Sequence, residues 1–294
     1  FFQGRYGDLD SSVISYGPCQ TPTLGFVVQR HIDIEMFKPE PYWTLDLGIV
    51  KGGRITRAVW EYGRSFNQNK VEGLARDGVK ELEDGQPASV VVTKVIKKEK
   101  KQGRPTPLNT VAFLKACSKG LGIGPHAALS TAERLYLSGY LSYPRTESSA
   151  YPKSFDIKGT LAAQSNDPRW GSYVRDLLKA GPNGAKGGFD AGDHPPITPC
   201  RAAGVHELSG DMARIYELVV RHFIATVSPD AVWMSTKVEL EIPPLEDKGK
   251  FSVMGKQLVS PGFLAVLLHK QYGEKERVEG MRDEKERVEG MRDE

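Results

Sequence analysis

A run of helical periodicity from Pro107 to Thr226, set between two strand-patterned stretches, is what most limits the folds open to this chain. Within it, Val111, Leu114, Ala116 and Cys117 recur at helical spacing before the Gly120-Leu121-Gly122 stop. A second helix is expected from His126 to Ser138 with Gly139 as its C-terminal cap, and a third from Pro168 to Ala180. A fourth spans Asp211 to Thr226, where Ile215, Leu218, Val219, Phe223 and Ile224 form one apolar face. On the N-terminal side, Tyr42 to Val50 alternates apolar and polar residues, and Ala88 to Ile96 is rich in β-branched residues. On the C-terminal side, Val232 to Ile242 and Lys250 to Val253 return to strand patterning. Two further helices are expected, from Leu24 to Ile34, ending before Lys38-Pro39, and from Asn69 to Glu83. The simplest organisation is a mixed α and β, multi-domain chain in which a helical unit is inserted between strand-rich halves.

Composition sets wide bounds. At 294 residues, with 39% hydrophobic and 26% charged residues, the chain holds two or three modest domains. No stretch approaches the roughly 18 apolar residues of a membrane span, and no signal peptide opens it, so an intracellular protein is expected. The start at Phe1 reads as a fragment of something longer. Cys19, Cys117 and Cys200 are scattered and odd in number, which signals neither a disulfide framework nor a zinc cluster. The net charge is +3, but the last 21 residues carry nine acids and six bases, so the remainder is more basic. Lys94, Lys97, Lys98, Lys100, Lys101 and Arg104 concentrate that charge, either as a solvated linker or as a phosphate-contacting strip. Glu274 to Asp283 recurs unchanged as Glu284 to Asp293, and no site residue is expected in this duplicated tail.

The chemistry concentrates in Leu141 to Ser149, a Leu-Ser-Tyr-Pro-Arg-Thr-Glu-Ser-Ser stretch that Pro144 keeps out of a helix. Tyrosine titrates near pH 10, so a phenol attacks well at neutral pH only where a fixed cation stabilises the phenolate. Arg145 is the candidate cation. In an extended segment residues i and i+2 project to the same side, so Tyr143 and Arg145 can face one phosphate together. On these residues alone, a surface loop with an incidental Tyr and Arg remains open. His194 sits in Asp193-His194-Pro195-Pro196 after the five glycines of a mobile Gly181 to Gly192 loop. A histidine so placed suits proton transfer or phosphate binding near neutral pH.

Three blocks together resemble the type IA DNA topoisomerases. They are Ala132-Glu133-Arg134-Leu135-Tyr136 continuing into Gly139 to Glu147, Ser15 to Gly25, and Asp193-His194-Pro195-Pro196-Ile197. The Gly-Pro-Cys-Gln-Thr-Pro-Thr-Leu-Gly wording of the second most resembles the eukaryotic topoisomerase III beta branch. The resemblance runs from about Tyr6 to Phe263. It implies a fragment of the family toroid, with a β-rich arch flanking a helical tyrosine domain. On that mapping residues 1–37 belong to the base domain, 38–103 to the first half of the arch, 104–222 to the tyrosine domain and 223–263 to the returning arch. Residues 264–294 form a divergent charged tail.

The same resemblance implies roles. Tyr143 attacks a phosphodiester to leave a 5′-phosphotyrosine, Arg145 holds the scissile phosphate, and His194 assists. Ser15 and Gln20 border a single-strand groove, Thr146 lies near the bound strand, and Glu147 joins a local polar network. Mg2+ is implied as cofactor, with its acidic ligands in an N-terminal domain upstream of Phe1 that this chain lacks. Asp8 and Asp10 are not read as its site. Single-stranded DNA is the implied substrate, with RNA open, a Tudor-domain scaffold as partner, and nuclear and cytoplasmic residence. Two rivals stand. Site-specific recombinases and type IB topoisomerases place their tyrosine late, whereas Tyr143 is mid-chain and His194 follows it. A non-catalytic single-stranded nucleic-acid-binding module is the other.

Overall fold

A computed structural model of the chain describes residues 17–79 and 90–267. Ser15, Asp8, Asp10 and the duplicated tail therefore lie outside the described residues. The chain divides into two compact units, one of residues 1–93 and 239–253, the other of 94–238 and 254–294.

The first unit opens with helix α1 (Gln20–Glu35), close to the expected limits, followed by β1 (Asp46–Lys51) and β2 (Arg54–Trp60). These strands form an antiparallel hairpin whose last pair, Lys51 with Arg54, leaves a two-residue turn. Gly52 and Gly53 fill it at φ of 57° and 73°. A turn with both central residues in the left-handed region matches the right-handed strand twist and favours glycine at both positions. β2 was not expected from the sequence. It continues the sheet through Val59 with Ser252 and Trp60 with Phe251. Trp60 is buried, and its indole N–H donates to the Lys248 carbonyl at 2.7 Å. Helix α2 (Gln68–Val79) begins where the Asn67 side chain accepts from the Lys70 amide at 3.0 Å. It packs on the 3-10 turn Pro243–Lys248, with Gly78 against Leu245.

The sheet is completed by β3 (Val91–Gln102), β4 (Ala231–Glu241) and β5 (Lys250–Ser260), in the order β1-β2-β5-β4-β3. β3 runs six residues beyond the expected Ile96, carrying the lysine cluster as exposed residues of an edge strand. Lysine on an edge blocks further strand addition, which gives the cluster a structural role of its own.

The second unit holds helices α3 (Thr110–Leu121), α4 (Pro125–Leu137), α5 (Ile157–Ala163), α6 (Gly171–Ala180) and α7 (Gly210–Thr226). α7 is the central helix. From Ile215 to Thr226 it buries all but Glu217 and Arg221, and α3 and α4 pack on it. α3 starts with the Asn109 side chain accepting from the Ala112 amide at 2.9 Å and ends at Gly122, φ 68°. α4 begins at Pro125, which suits the first helical position, and stops at Gly139, φ 76°. There the Tyr140 amide donates back to the Leu135 carbonyl, a Schellman closure that redirects the chain into the motif.

His222, on α7, is fully buried with Nε2 2.8 Å from the Thr106 carbonyl, and burial pulls its imidazole down to about 4. An unfolded histidine takes up its proton near pH 6.5, whereas the folded one resists until about pH 4. Stability is therefore intact above 6.5 and lost as pH falls through this window, by about 3 kcal/mol in total. We expect urea unfolding to register that loss between pH 6.5 and 4, and His222→Gln, which keeps an N–H donor without titrating, to flatten it. Parallel pH profiles for the two proteins would exclude His222 as the cause.

Candidate active site

The segment leaving α4 is extended and pinned on both sides. Ser142 donates its amide to the Thr198 carbonyl at 2.9 Å, while its hydroxyl accepts from the Thr198 amide and donates to the Pro196 carbonyl. From α3, the Thr110 hydroxyl lies 2.8 Å from the Pro144 carbonyl and accepts from the Thr146 amide at 2.8 Å. Burial then alternates: Pro144, Thr146 and Ser148 point inward, Arg145 and Glu147 outward, with Tyr143 half-buried on the outward side. Tyr143 and Arg145 are thus both accessible to solvent, as the expected projection to one side requires.

The phenol of Tyr143 sits between two rings, with Tyr136 at 5.3 Å and His194 at 4.8 Å between centroids, both edge-on. Such edge contacts contribute roughly 0.5–1.5 kcal/mol each and fix ring orientation. Arg145 is held by Glu133 of α4, with Nε at 2.8 Å and Nη2 at 2.7 Å from the same Oε1.

His194 is brought to this strand by its own loop. Asp193 accepts from the backbone N–H of His194 and of Glu147 and from the Ser148 hydroxyl, which together hold its carboxyl at about 2. Thr146 donates its hydroxyl to the His194 carbonyl at 2.8 Å, and the Ser148 amide donates to that same hydroxyl oxygen. Upstream, Ser149 and Phe189 exchange bonds, the Ser149 amide to the Phe189 carbonyl and the Phe189 amide to the Ser149 hydroxyl. Gly188 makes this approach possible: at φ 95°, a Cβ there would lie 2.0 Å from the Ser149 carbonyl oxygen. The loop expected to be mobile is therefore docked along its second half, because the hydroxyls of Ser148 and Ser149 and the Ser149 amide satisfy its backbone.

The structure gathers Tyr143, Arg145, Thr146, Glu147 and His194 in the second unit. Thr146 is buried and anchors the His194 loop. Glu147 contributes its backbone to the Asp193 network, while its side chain is exposed. Gln20 opens α1 of the first unit as an exposed residue. Sequence reasoning gave no role to Glu133, Tyr136, Thr110 or Asp193. The signal available for the first two was their spacing of three on one helix, within a block already singled out.

No group of three or more His, Cys, Asp or Glu among the described residues could hold a metal ion. Asp193, which the strand engages, already spends its oxygens on N–H and hydroxyl donors. The described residues thus do not fit a magnesium site.

Known proteins resemble this chain. The chain matches the DNA topoisomerase family over residues 3–292. It is 46% identical over 277 residues to DNA topoisomerase 3-beta-1 of Mus musculus, covering 91% of this chain and 30% of the relative. With DNA topoisomerase 3-beta-1 of Homo sapiens the identity is 47% over 268 residues, again 91% and 30%. With DNA topoisomerase 3-beta of Arabidopsis thaliana it is 46% over 290 residues, 96% of this chain and 32% of the relative. The chain thus spans about a third of the length of these curated relatives. Among solved structures, full-length topoisomerase I from Thermotoga maritima superposes with a TM-score of 0.63 at 18% identity, covering 90% of this chain and 42% of that one. At that identity the likeness is one of fold.

Proposed function

Because the chain belongs to the type IA DNA topoisomerase family, we propose that Tyr143 is the nucleophile of transient single-strand cleavage and that Arg145 and His194 work on the same phosphate. The observation that carries this reading is the edge-on contact of the Tyr143 phenol with the His194 imidazole on a backbone locked from both sides, with the exposed Arg145 two residues along the same strand. The Tyr143 Oη–P bond forms as the P–O3′ bond breaks, leaving a 5′-phosphotyrosine and a 3′-hydroxyl. The phenolic proton leaves and a proton is gained by the departing 3′ oxygen. His194, edge-on to the attacking ring, stands where it can move a proton or bind a phosphate oxygen. Arg145 stabilises charge building on the non-bridging oxygens. One phosphodiester replaces another, so resealing is nearly thermoneutral and ATP is not chemically required.

The family generally uses Mg2+. Among the described residues no group of three His, Cys, Asp or Glu side chains could hold it. Its ligands are proposed to lie outside the described residues. DNA is the substrate this reading takes. RNA as a second substrate, a Tudor-domain scaffold partner, and nuclear and cytoplasmic residence are carried with it on resemblance alone.

The test is the polarity of a trapped adduct. With this chain substituted for the matching stretch of the mouse relative, denaturation during cleavage of a single-stranded oligonucleotide should leave a 3′ label on the protein and a 5′ label free. The reverse pattern would point to recombinase or type IB chemistry. Binding without any adduct would support the non-catalytic module instead.

A further inference from the structure

We infer that Glu133 is a positioning residue for cleavage, a role that rests on the reading of Tyr143 as nucleophile. Arginine has five N–H donors in a planar fork. Here the side edge, Nε–H and one Nη2–H, is spent on a single oxygen of Glu133, at 2.8 and 2.7 Å. That leaves the end-on pair, one N–H each from Nη1 and Nη2, not engaged by Glu133. This pair is the geometry that grips two phosphate oxygens at once. Both partners are solvent-accessible, at 56% for Arg145 and 37% for Glu133, so a strand can reach the guanidinium without displacing the carboxylate.

A freely rotating arginine on an extended strand samples many rotamers, and ordering it on binding costs entropy. Glu133 removes part of that freedom in advance. α4 is a rigid support, since its opposite face buries Ala128, Thr131, Ala132 and Leu135. Three residues along, Tyr136 of the same helix meets the Tyr143 ring edge-on. One helix face thus touches both reacting side chains, and Glu133 sets the one whose flexibility is greatest. The carboxylate also carries a negative charge beside the phosphate position, so it opposes binding slightly while favouring geometry. That opposition separates positioning from mere binding or stability.

The experiment compares Glu133→Ala and Glu133→Gln in the chimaeric full-length enzyme, measuring adduct formation at saturating oligonucleotide and, separately, noncovalent affinity. Glu133→Ala should form adduct roughly 10- to 100-fold more slowly, the scale of a misplaced reacting group. Its affinity should hold or tighten by about 2- to 5-fold at low salt, since a like charge beside the phosphate is gone. Glu133→Gln keeps one acceptor oxygen for Nε–H and Nη2–H, so its rate should fall between the two. Adduct formation by Glu133→Ala at the wild-type rate would overturn the inference. So would loss of affinity and rate in equal proportion, which marks a structural role. Adduct formation by Tyr143→Phe would instead overturn the reading beneath it, whatever the Glu133 variants do.

Discussion

Tyr143→Phe should abolish the covalent adduct, with adduct formation falling by about 10^4-fold or more, while noncovalent binding of a single-stranded oligonucleotide stays within about two-fold of wild type. The substitution removes one oxygen and keeps the ring. The edge-on contacts with Tyr136 at 5.3 Å and His194 at 4.8 Å are ring contacts that phenylalanine makes equally well. The backbone around position 143 is held by Ser142 and Thr110, not by the phenol, so the strand keeps its course. What disappears is the atom that bonds to phosphorus, and neither Arg145 nor His194 replaces it. Trapped adduct from the phenylalanine variant, at any rate near wild type, would remove Tyr143 from the chemistry. Arg145→Lys is the informative companion: it keeps the charge but loses the planar fork, and should slow adduct formation far more than it weakens binding.

Much of this arrangement is legible without coordinates, for reasons that differ by element. α7, expected from Asp211 and found from Gly210, is long and amphipathic enough for its buried face to show as periodicity. β2 escapes notice because Ile55 and Val59 are exposed while only Ala58 and Trp60 are buried, so its alternation is muddied and pairing with β1 and β5 defines it. α5 is seven residues long, capped by Asp156 and burying only Leu161, too short to show a period. β3 outruns its expected end because lysines on both faces of an edge strand show no alternation. At the site, the shared direction of Tyr143 and Arg145 follows from i, i+2 geometry alone. The grip of Glu133 spans 12 residues, that of Thr110 36 and that of Asp193 47, and no local pattern carries such pairings.

Gly188→Ala should be the most damaging change that touches no reacting group. The new Cβ would lie 2.0 Å from the Ser149 carbonyl oxygen and 2.6 Å from its carbon, both backbone atoms that cannot swing aside. The φ of 95° adds about 1–2 kcal/mol of strain for an L-residue. The loop must therefore back away from the tyrosine strand. Doing so breaks the paired bonds between Ser149 and Phe189 and the bond from the Ala191 amide to the Ser148 hydroxyl. Next along the chain is Asp193, whose acceptance from His194, Glu147 and Ser148 holds the imidazole beside Tyr143. We expect amide exchange over residues 188–194 to speed up markedly and adduct formation to fall by roughly 100-fold, as for a misplaced catalytic group. The melting temperature should shift little, because the core around α7 includes no residue of this loop. Gly184→Ala is the control, since a Cβ there meets nothing within 4 Å. Equal behaviour of the two variants would mean that docking of the loop does not govern where His194 stands, and that the contact with Tyr143 is held by Thr146 and Asp193 alone.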